Sequence, residues 1–267
     1  MERITSKDNN RIKKLKALLA KSKERTASDT FVAEGLRLVM DTPEELIREL
    51  YIAEDLMDTD IAVLEFADRL VKRGTSVWTV TNEVMKQISD TVTPQGFLAV
   101  VSMPSHDRED IFGKDGEKPL ILILEDVRDP GNMGTIIRTA EGAGVTGLIM
   151  TKGCVDVFSP KVVRSTMGSI FRVTMWEGAE LREAVSLLKE RGCRIFGAHL
   201  NGTDVYDGFN YIESTAFLIG NEANGMSNEA RILCDDLVII PMKGKLESLN
   251  ASVAAGILAY EAARQRR

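Results

Sequence analysis

The chain has 267 residues, 44% of them hydrophobic and 28% charged, which excludes a disordered chain and supplies enough apolar material for one large domain or two of ordinary size. No uninterrupted apolar run approaches the ~18 residues of a membrane span, and the opening MERITSKDNNRIKKLK lacks the apolar centre of a signal peptide. Cys154, Cys193 and Cys234 are too scattered for a disulfide framework or a spaced metal site, so a reducing cytoplasm is the expected setting.

The formal net charge of −6 hides a local excess of the opposite sign: residues 1–25 carry nine basic side chains against three acids. Such a cluster suits a solvated helix face or a phosphate-binding one. Residues 11–23, with apolar Ile12, Leu15, Leu18 and Leu19, have helical periodicity, and 31–41 and 43–50 also read as helices. Predicted strands at 51–53, 76–80 and 97–103 are separated by helical patterns at 61–73 and 82–88. Residues 104–118 (PSHDREDIFGKDGEK) are polar and charged, as an interdomain connection would be, which divides the chain into domains at 1–103 and 119–267.

From residue 119 onward apolar strands alternate with helices. Strands are expected at 120–126, 147–151, 169–175, 194–199, 216–220 and 236–241, and helices at 134–143, 160–167, 181–191 and 251–266. This alternation argues for an α/β domain with a largely parallel sheet covered on both faces. Ligands of such sheets gather beyond the carboxyl ends of the strands, so the loops that follow the strands carry the information.

Three loops stand out. In LEDVRDPGNMGTIIRTAEGAG a strand ends near Asp126, a Pro-Gly turn and Asn132 follow, and a helix begins near Met133. Met133, Ile136, Ile137, Ala140 and Gly144 form its core stripe, and Arg138 points roughly 150° away, toward solvent or a ligand. In FLIGNEANGMS the glycines Gly220 and Gly225 flank Glu222, which suits a close ligand approach or a plain turn. In VIIPMKGKLESLNASVAAGILAYEAA a strand leads through a Gly-Lys loop to Ser248, Leu249 and Asn250, where Ser248 or Asn250 is a natural N-cap and the free amides could equally hold an anion.

The chain has neither GxGxxG after the first strand of this domain nor GxxxxGK[ST], and its two histidines, His106 and His199, offer little to a metal cluster or a Ser-His-Asp arrangement. Chemistry must then rest on Arg, Glu, Ser, Asn and backbone amides, which suits group transfer to a hydroxyl from an activated donor.

Taken in order, DPGNMGTIIRTAEGAG, IGNEANGMS and IPMKGKLESLNASVAAGILAYE resemble the three signature motifs of the SpoU (TrmH) family of RNA 2′-O-ribose methyltransferases, in the SPOUT superfamily. FVAEGLRLV at 31–39 and TPQGFLAVV at 93–101 are similar to that family's substrate-binding domain. The resemblance implies a SPOUT-type α/β trefoil-knot catalytic domain at 119–267, a smaller N-terminal α/β RNA substrate-binding domain at 1–103, and a linker between them. It further implies S-adenosyl-L-methionine as cofactor, no metal, and a homodimer whose site uses both subunits.

By motif position the resemblance implies catalytic roles for Asn132, Arg138, Glu222, Ser248 and Asn250, and cofactor contacts at Leu200, Gly220, Ile240 and Leu249. Arg138 is the family's candidate for activating the ribose hydroxyl. It would act either as an unusually acidic base or as a cation that orients the ribose phosphate and stabilises the forming oxyanion. Ribosomal RNA is the expected substrate, because an added N-terminal domain is commoner among family members that modify it. A transfer-RNA enzyme, a catalytically idle RNA-binding or assembly factor, and a methyltransferase for protein or small molecules are the alternatives.

Overall fold

Helix α1 (Asn10–Ala20) opens with the Asn9 side chain accepting the Arg11 N–H, and buries Ile12, Leu15 and Leu18 as its periodicity predicts. The computed structural model describes every residue except Met1, Asp58, Asn201, Thr203 and Glu247. The chain folds as two units, Met1–Ser105 with Asp156–Phe171, and His106–Val155 with Arg172–Arg267.

The first unit runs β1 (Glu2–Ile4), α1, α2 (Ser22–Ser28), β2 (Thr30–Glu34), α3 (Leu36–Asp41), β3 (Ile47–Ala53), α4 (Glu54–Met57), α5 (Ile61–Lys72), β4 (Ser76–Val80), α6 (Asn82–Ile88) and β5 (Phe97–Ser102). Its mixed sheet has the order β1-β4-β3-β5-β2, with β5 antiparallel to both β3 and β2. Three expectations fail here. The predicted helix at 11–23 breaks at Lys21, whose extended backbone (φ −130°) separates α1 from α2. The predicted helix at 31–41 is half strand: Phe31, Val32 and Ala33 are all buried, and Gly35 at φ 106° turns the chain into α3. Residues 43–50 form only a 3-10 turn at Glu44–Leu46 before β3 begins.

Asp156–Phe171, which the sequence assigns to the second domain, packs with the first unit. The Arg25 guanidinium, 5% exposed, donates to the Asp156 carboxylate from Nε at 3.0 Å and from Nη2 at 2.5 Å, and to the Leu18 carbonyl at 2.5 Å. A buried cation with this many acceptors is fully satisfied, and helix α8 (Pro160–Ser165) is packed onto β2 beside it.

The second unit contains β6 (Leu120–Leu124), α7 (Pro130–Ala143), β7 (Gly147–Thr151), β8 (Met175–Ala179), α9 (Leu181–Glu190), β9 (Arg194–Ala198), β10 (Asp204–Val205), β11 (Thr215–Ile219), α10 (Asn228–Leu233), β12 (Asp236–Ile239) and α11 (Ala251–Gln265). All pairings are parallel, in the order β10-β12-β9-β11-β6-β7-β8. Strand β12 thus lies between β9 and β10, two strands consecutive in sequence, an order that accords with the α/β trefoil-knot fold the motifs imply. The end of α11 is tied back to residues 209–213 by Arg266, which donates to the carbonyls of Tyr211 and Glu213, and by Gln265, which donates to that of Phe209.

One sheet face buries Ile121, Ile123, Ile149 and Leu218 against Val185 and Leu188 of α9, Ala230 of α10 and Ile111. Ile111 belongs to a 3-10 turn, Arg108–Phe112, so part of the polar 104–118 stretch packs on this unit. Helix α11 packs against β6 and β11 and carries α7 beside it. The strand expected at 169–175 is instead a 3-10 turn at Ser169–Phe171, with β8 beginning only at Met175.

Candidate active site

The three motif loops converge at the carboxyl ends of β6, β11 and β12. After β6 the chain reaches Asp126 in the left-handed region (φ 54°), then Asp129 caps α7 by accepting the Asn132 N–H at 2.8 Å. Pro130 takes the first helical position, where a missing N–H costs nothing, so the Pro-Gly turn expected there is the first turn of the helix. Met133, Ile136, Ile137 and Ala140 are fully buried as the stripe predicts, while Gly144 lies outside the helix as its left-handed C-cap.

After β11, Asn221 and Gly225 exchange backbone hydrogen bonds at 3.0 and 2.9 Å, closing a tight turn. Asn221 Oδ1 accepts the amides of Ala223 and Asn224, and its Nδ2 donates to the Asp126 carbonyl at 2.7 Å. The turn carries Glu222 onto the first loop: its Oε1 accepts the Asp129 N–H at 3.0 Å and Asn132 Nδ2 at 3.1 Å, and its Oε2 accepts the Arg128 N–H at 3.2 Å. Partial burial pushes the Glu222 carboxyl upward, but the Asn132 amide, its own backbone and the Asp129 and Arg128 amides outweigh that push and hold it below its ordinary 4.5.

The third loop joins through Asn250. It caps α11 by accepting the Ser252 N–H and hydroxyl, and its Nδ2 donates to Asn132 Oδ1 at 2.8 Å. Asn132 is therefore a two-sided link whose amide orientation is fixed by a carboxylate on one side and an N–H donor on the other.

Beside this network lies a cleft of about 320 Å³. Leu200, Gly220, Ile240 and Leu249 all line it, together with Glu222 and Ser248. A Cβ on Gly220 would stand 2.4 Å from the Gly225 carbonyl carbon and the Met226 nitrogen, so glycine is what lets the turn fold back over the strand end. Asn132 and Asn250 belong to the network rather than to the cleft wall, while Arg138 belongs to neither: it is exposed and makes no hydrogen bond or ion pair among the described residues.

Sequence reasoning missed Asn221, which shapes the Glu222 turn, and Glu125, whose buried carboxylate accepts the Ser227 N–H at 2.9 Å and anchors the far end of that turn. A polar residue at a strand's carboxyl end was the available signal for both, strengthened for Asn221 by the motif glycine Gly220 before it. Among the described residues no group of three His, Cys, Asp or Glu side chains converges as a metal site would require.

Residues 119–260 match the SpoU rRNA Methylase family, and residues 9–99 match the MRM3-like substrate binding domain. The chain is 32% identical over 260 residues to the Bacillus subtilis 23S rRNA (guanosine(2553)-2′-O)-methyltransferase RlmP, covering 97% of this chain and 98% of that one. It is 35% identical over 280 residues to the Streptomyces viridochromogenes 23S rRNA (uridine(2479)-2′-O)-methyltransferase, covering 99% and 92%. A crystal structure of an AdoMet-bound rRNA methyltransferase from Sinorhizobium meliloti superposes with a TM-score of 0.85 at 32% identity, covering 98% of this chain and 97% of that one. Motif loops, fold and full-length relatives agree, and the chain belongs to the SpoU rRNA Methylase family.

Proposed function

We propose that the protein transfers a methyl group from S-adenosylmethionine to a ribose 2′-hydroxyl of ribosomal RNA. The observation that carries this reading is the Glu222–Asn132–Asn250 chain of hydrogen bonds, which locks three separate motif loops around one cleft. The cleft fits the donor: the apolar side chains of Leu200, Ile240 and Leu249 suit a flat adenine, and the narrow strand end at Gly220 admits a group close to the backbone. Bound there, S-adenosylmethionine supplies a methyl already activated on a sulfonium, so the protein has only to position the hydroxyl and manage one proton.

The residues divide that work. Leu200, Gly220, Ile240 and Leu249 hold the donor. Glu222 and Asn132 fix the amides at the start of α7, Asn250 holds the start of α11, and Ser248 presents its hydroxyl at the cleft edge. A guanidinium offers five donors and no acceptor, so Arg138 acts by orienting the ribose phosphate and stabilising the forming oxyanion rather than as a base. Because Arg138 lies outside the cleft of its own chain, a homodimer in which the second copy contributes it completes the site.

The first unit serves as the RNA-binding domain, a reading supported by its substrate-binding-domain match. Ribosomal RNA is supported by full-length relatives named for 23S rRNA, although these are named for different bases, guanosine and uridine, at similar identity, so the shared motifs do not select the base. No helix among the described residues is long and apolar enough to cross a membrane. Relatives named for ribosomal RNA support the cytoplasm as the place where the protein works. The test is tritiated-methyl transfer to 23S rRNA, followed by mapping of ribose methylation in RNA from cells with and without the gene. Tight RNA binding without transfer would instead identify a catalytically idle assembly factor.

A further inference from the structure

Away from the donor cleft, the first unit contains a cavity of about 220 Å³ between the start of α3, the 91–95 loop and the turn after α8. Its frame is set in advance. The buried Glu34 carboxylate accepts the Ser89 hydroxyl, the Asp90 N–H at 2.9 Å and the Thr91 hydroxyl at 2.8 Å, while Gln95 Oε1 accepts the Leu36 N–H at 2.9 Å. These bonds tie the β2–α3 turn to the loop that faces it, so the walls need no ordering when a ligand enters.

Two cations point to what enters. Arg164 forms an ion pair through Nη2 with Asp90 at 2.8 Å, but its Nη1 is buried without an acceptor among the described residues. A buried N–H left in that state costs free energy, and a site that takes a ligand is one place where such a cost is tolerated. Arg37 lines the same cavity, exposed and without an ion pair among the described residues.

The remaining wall is apolar. Leu38 is buried there, and Met167 is 43% exposed on a left-handed backbone (φ 51°) that a non-glycine residue rarely adopts. At the rim, Val92 is fully exposed and the Thr93 hydroxyl makes no hydrogen bond among the described residues.

The charges of Glu34 and Asp90 offset those of Arg37 and Arg164, so the cavity suits a flat, hydrogen-bonding body with a single negative charge better than a polyanion. An unpaired nucleotide within an RNA strand has that make-up: one phosphate and one base with an apolar face and polar edges. We infer that this cavity seats one unpaired nucleotide of the RNA substrate, with its base against Met167 and Leu38 beside the Arg164 guanidinium, and its phosphate on Arg37. The inference rests on the reading of the protein as an RNA methyltransferase and adds where its first unit reads the substrate.

The test uses the full-length protein, transcribed 23S rRNA and a tritiated methyl donor. Arg37→Ala raises the KM for rRNA about tenfold, the loss expected for one charge-assisted phosphate contact, while the KM for S-adenosylmethionine stays within about twofold and Arg37→Lys recovers most of the loss. Lys72→Ala, on the exposed side of α5, changes neither. An unchanged KM for rRNA in Arg37→Ala overturns the inference and leaves methyl transfer standing. If the wild-type protein transfers no methyl, the functional reading fails, and filter binding of the same RNA then decides the cavity: equal affinity of wild type and Arg37→Ala overturns it, and weaker binding supports it. A photo-crosslinking residue in place of Val92 should join to RNA at one nucleotide, and the absence of any RNA crosslink also overturns the inference.

Discussion

Asn132 and Glu222 stand 90 residues apart in sequence, and the Asn132 amide donates to the Glu222 carboxylate at 3.1 Å. This bond carries a pH consequence. A carboxyl whose folded pKa lies below its unfolded value contributes stability that is full above the unfolded pKa and is lost as pH falls through the folded one. Glu222 is such a group, so its contribution is present at neutral pH and disappears as pH drops below its ordinary 4.5 and through the lower folded value. Glu222→Gln should cost about 1 kcal/mol at neutral pH, discounted for solvent screening, and should flatten the acid limb of the stability curve. Urea unfolding at a series of pH values reads both effects; acid limbs of equal slope in variant and wild type would remove Glu222 from this account.

Gly220 is a second point where a single atom decides. An added Cβ would meet backbone at 2.4 Å on two sides, and backbone within a closed turn cannot swing away as a flexible side chain can. Gly220→Ala should therefore destabilise the protein by about 1–3 kcal/mol and displace the Glu222 turn. Calorimetric affinity for S-adenosylmethionine should fall at least about tenfold with it, a change that corresponds to ~1.4 kcal/mol of binding free energy. Donor affinity equal to wild type would mean that the turn does not shape the cleft.

The loops and helices of the second unit were legible because their chemistry is local: a capping residue, a core stripe, a glycine next to an acid. Met133, Ile136, Ile137 and Ala140 announce α7 by spacing alone. The join of Glu222, Asn132 and Asn250 is tertiary and has no trace in spacing; only the ordered family motifs pointed to it. Strand β2 was misread for a related reason. It is packed by α1, α3 and α8, so its residues are apolar on both faces and lose the alternation that distinguishes a strand. Part of that cover, α8, comes from more than a hundred residues further along the chain, beyond the reach of any local pattern.

The basic N-terminal segment also changes meaning. Helix α1 is core, with Ile12 fully buried and Leu15 1% exposed, so removing the segment would unfold the first unit rather than test its charge. Arg3, Arg11 and Arg25 are committed to Glu54, Glu49 and Asp156, and Lys16 donates to Gln87, which leaves Lys7, Lys13, Lys14, Lys21 and Lys23 exposed and without ion pairs among the described residues. Replacing Lys13, Lys14, Lys21 and Lys23 with Gln should weaken RNA binding and flatten the plot of log affinity against log salt by about 0.7–0.9 for each phosphate that is no longer neutralised. Filter binding across a salt series checks this, and an unchanged slope would reduce the cluster to a solvated helix face.

Arg138 sits on an exposed helix face, outside the cleft that holds every predicted donor contact. If the site is completed between two copies, Arg138→Ala and Glu222→Ala disable different parts of the same composite site. Each variant alone should lose methyl transfer, and Arg138→Ala should keep donor affinity by calorimetry. Mixing the two after exchange of subunits makes heterodimers in about half of the population, each with one site assembled from two intact parts, so about a quarter of wild-type activity should return. A site contained within one chain predicts no recovery, because every copy in the mixture carries one lesion. Subunit exchange confirmed by mass on differently tagged copies, with activity still absent, would therefore assign Arg138 to its own chain's chemistry or to none.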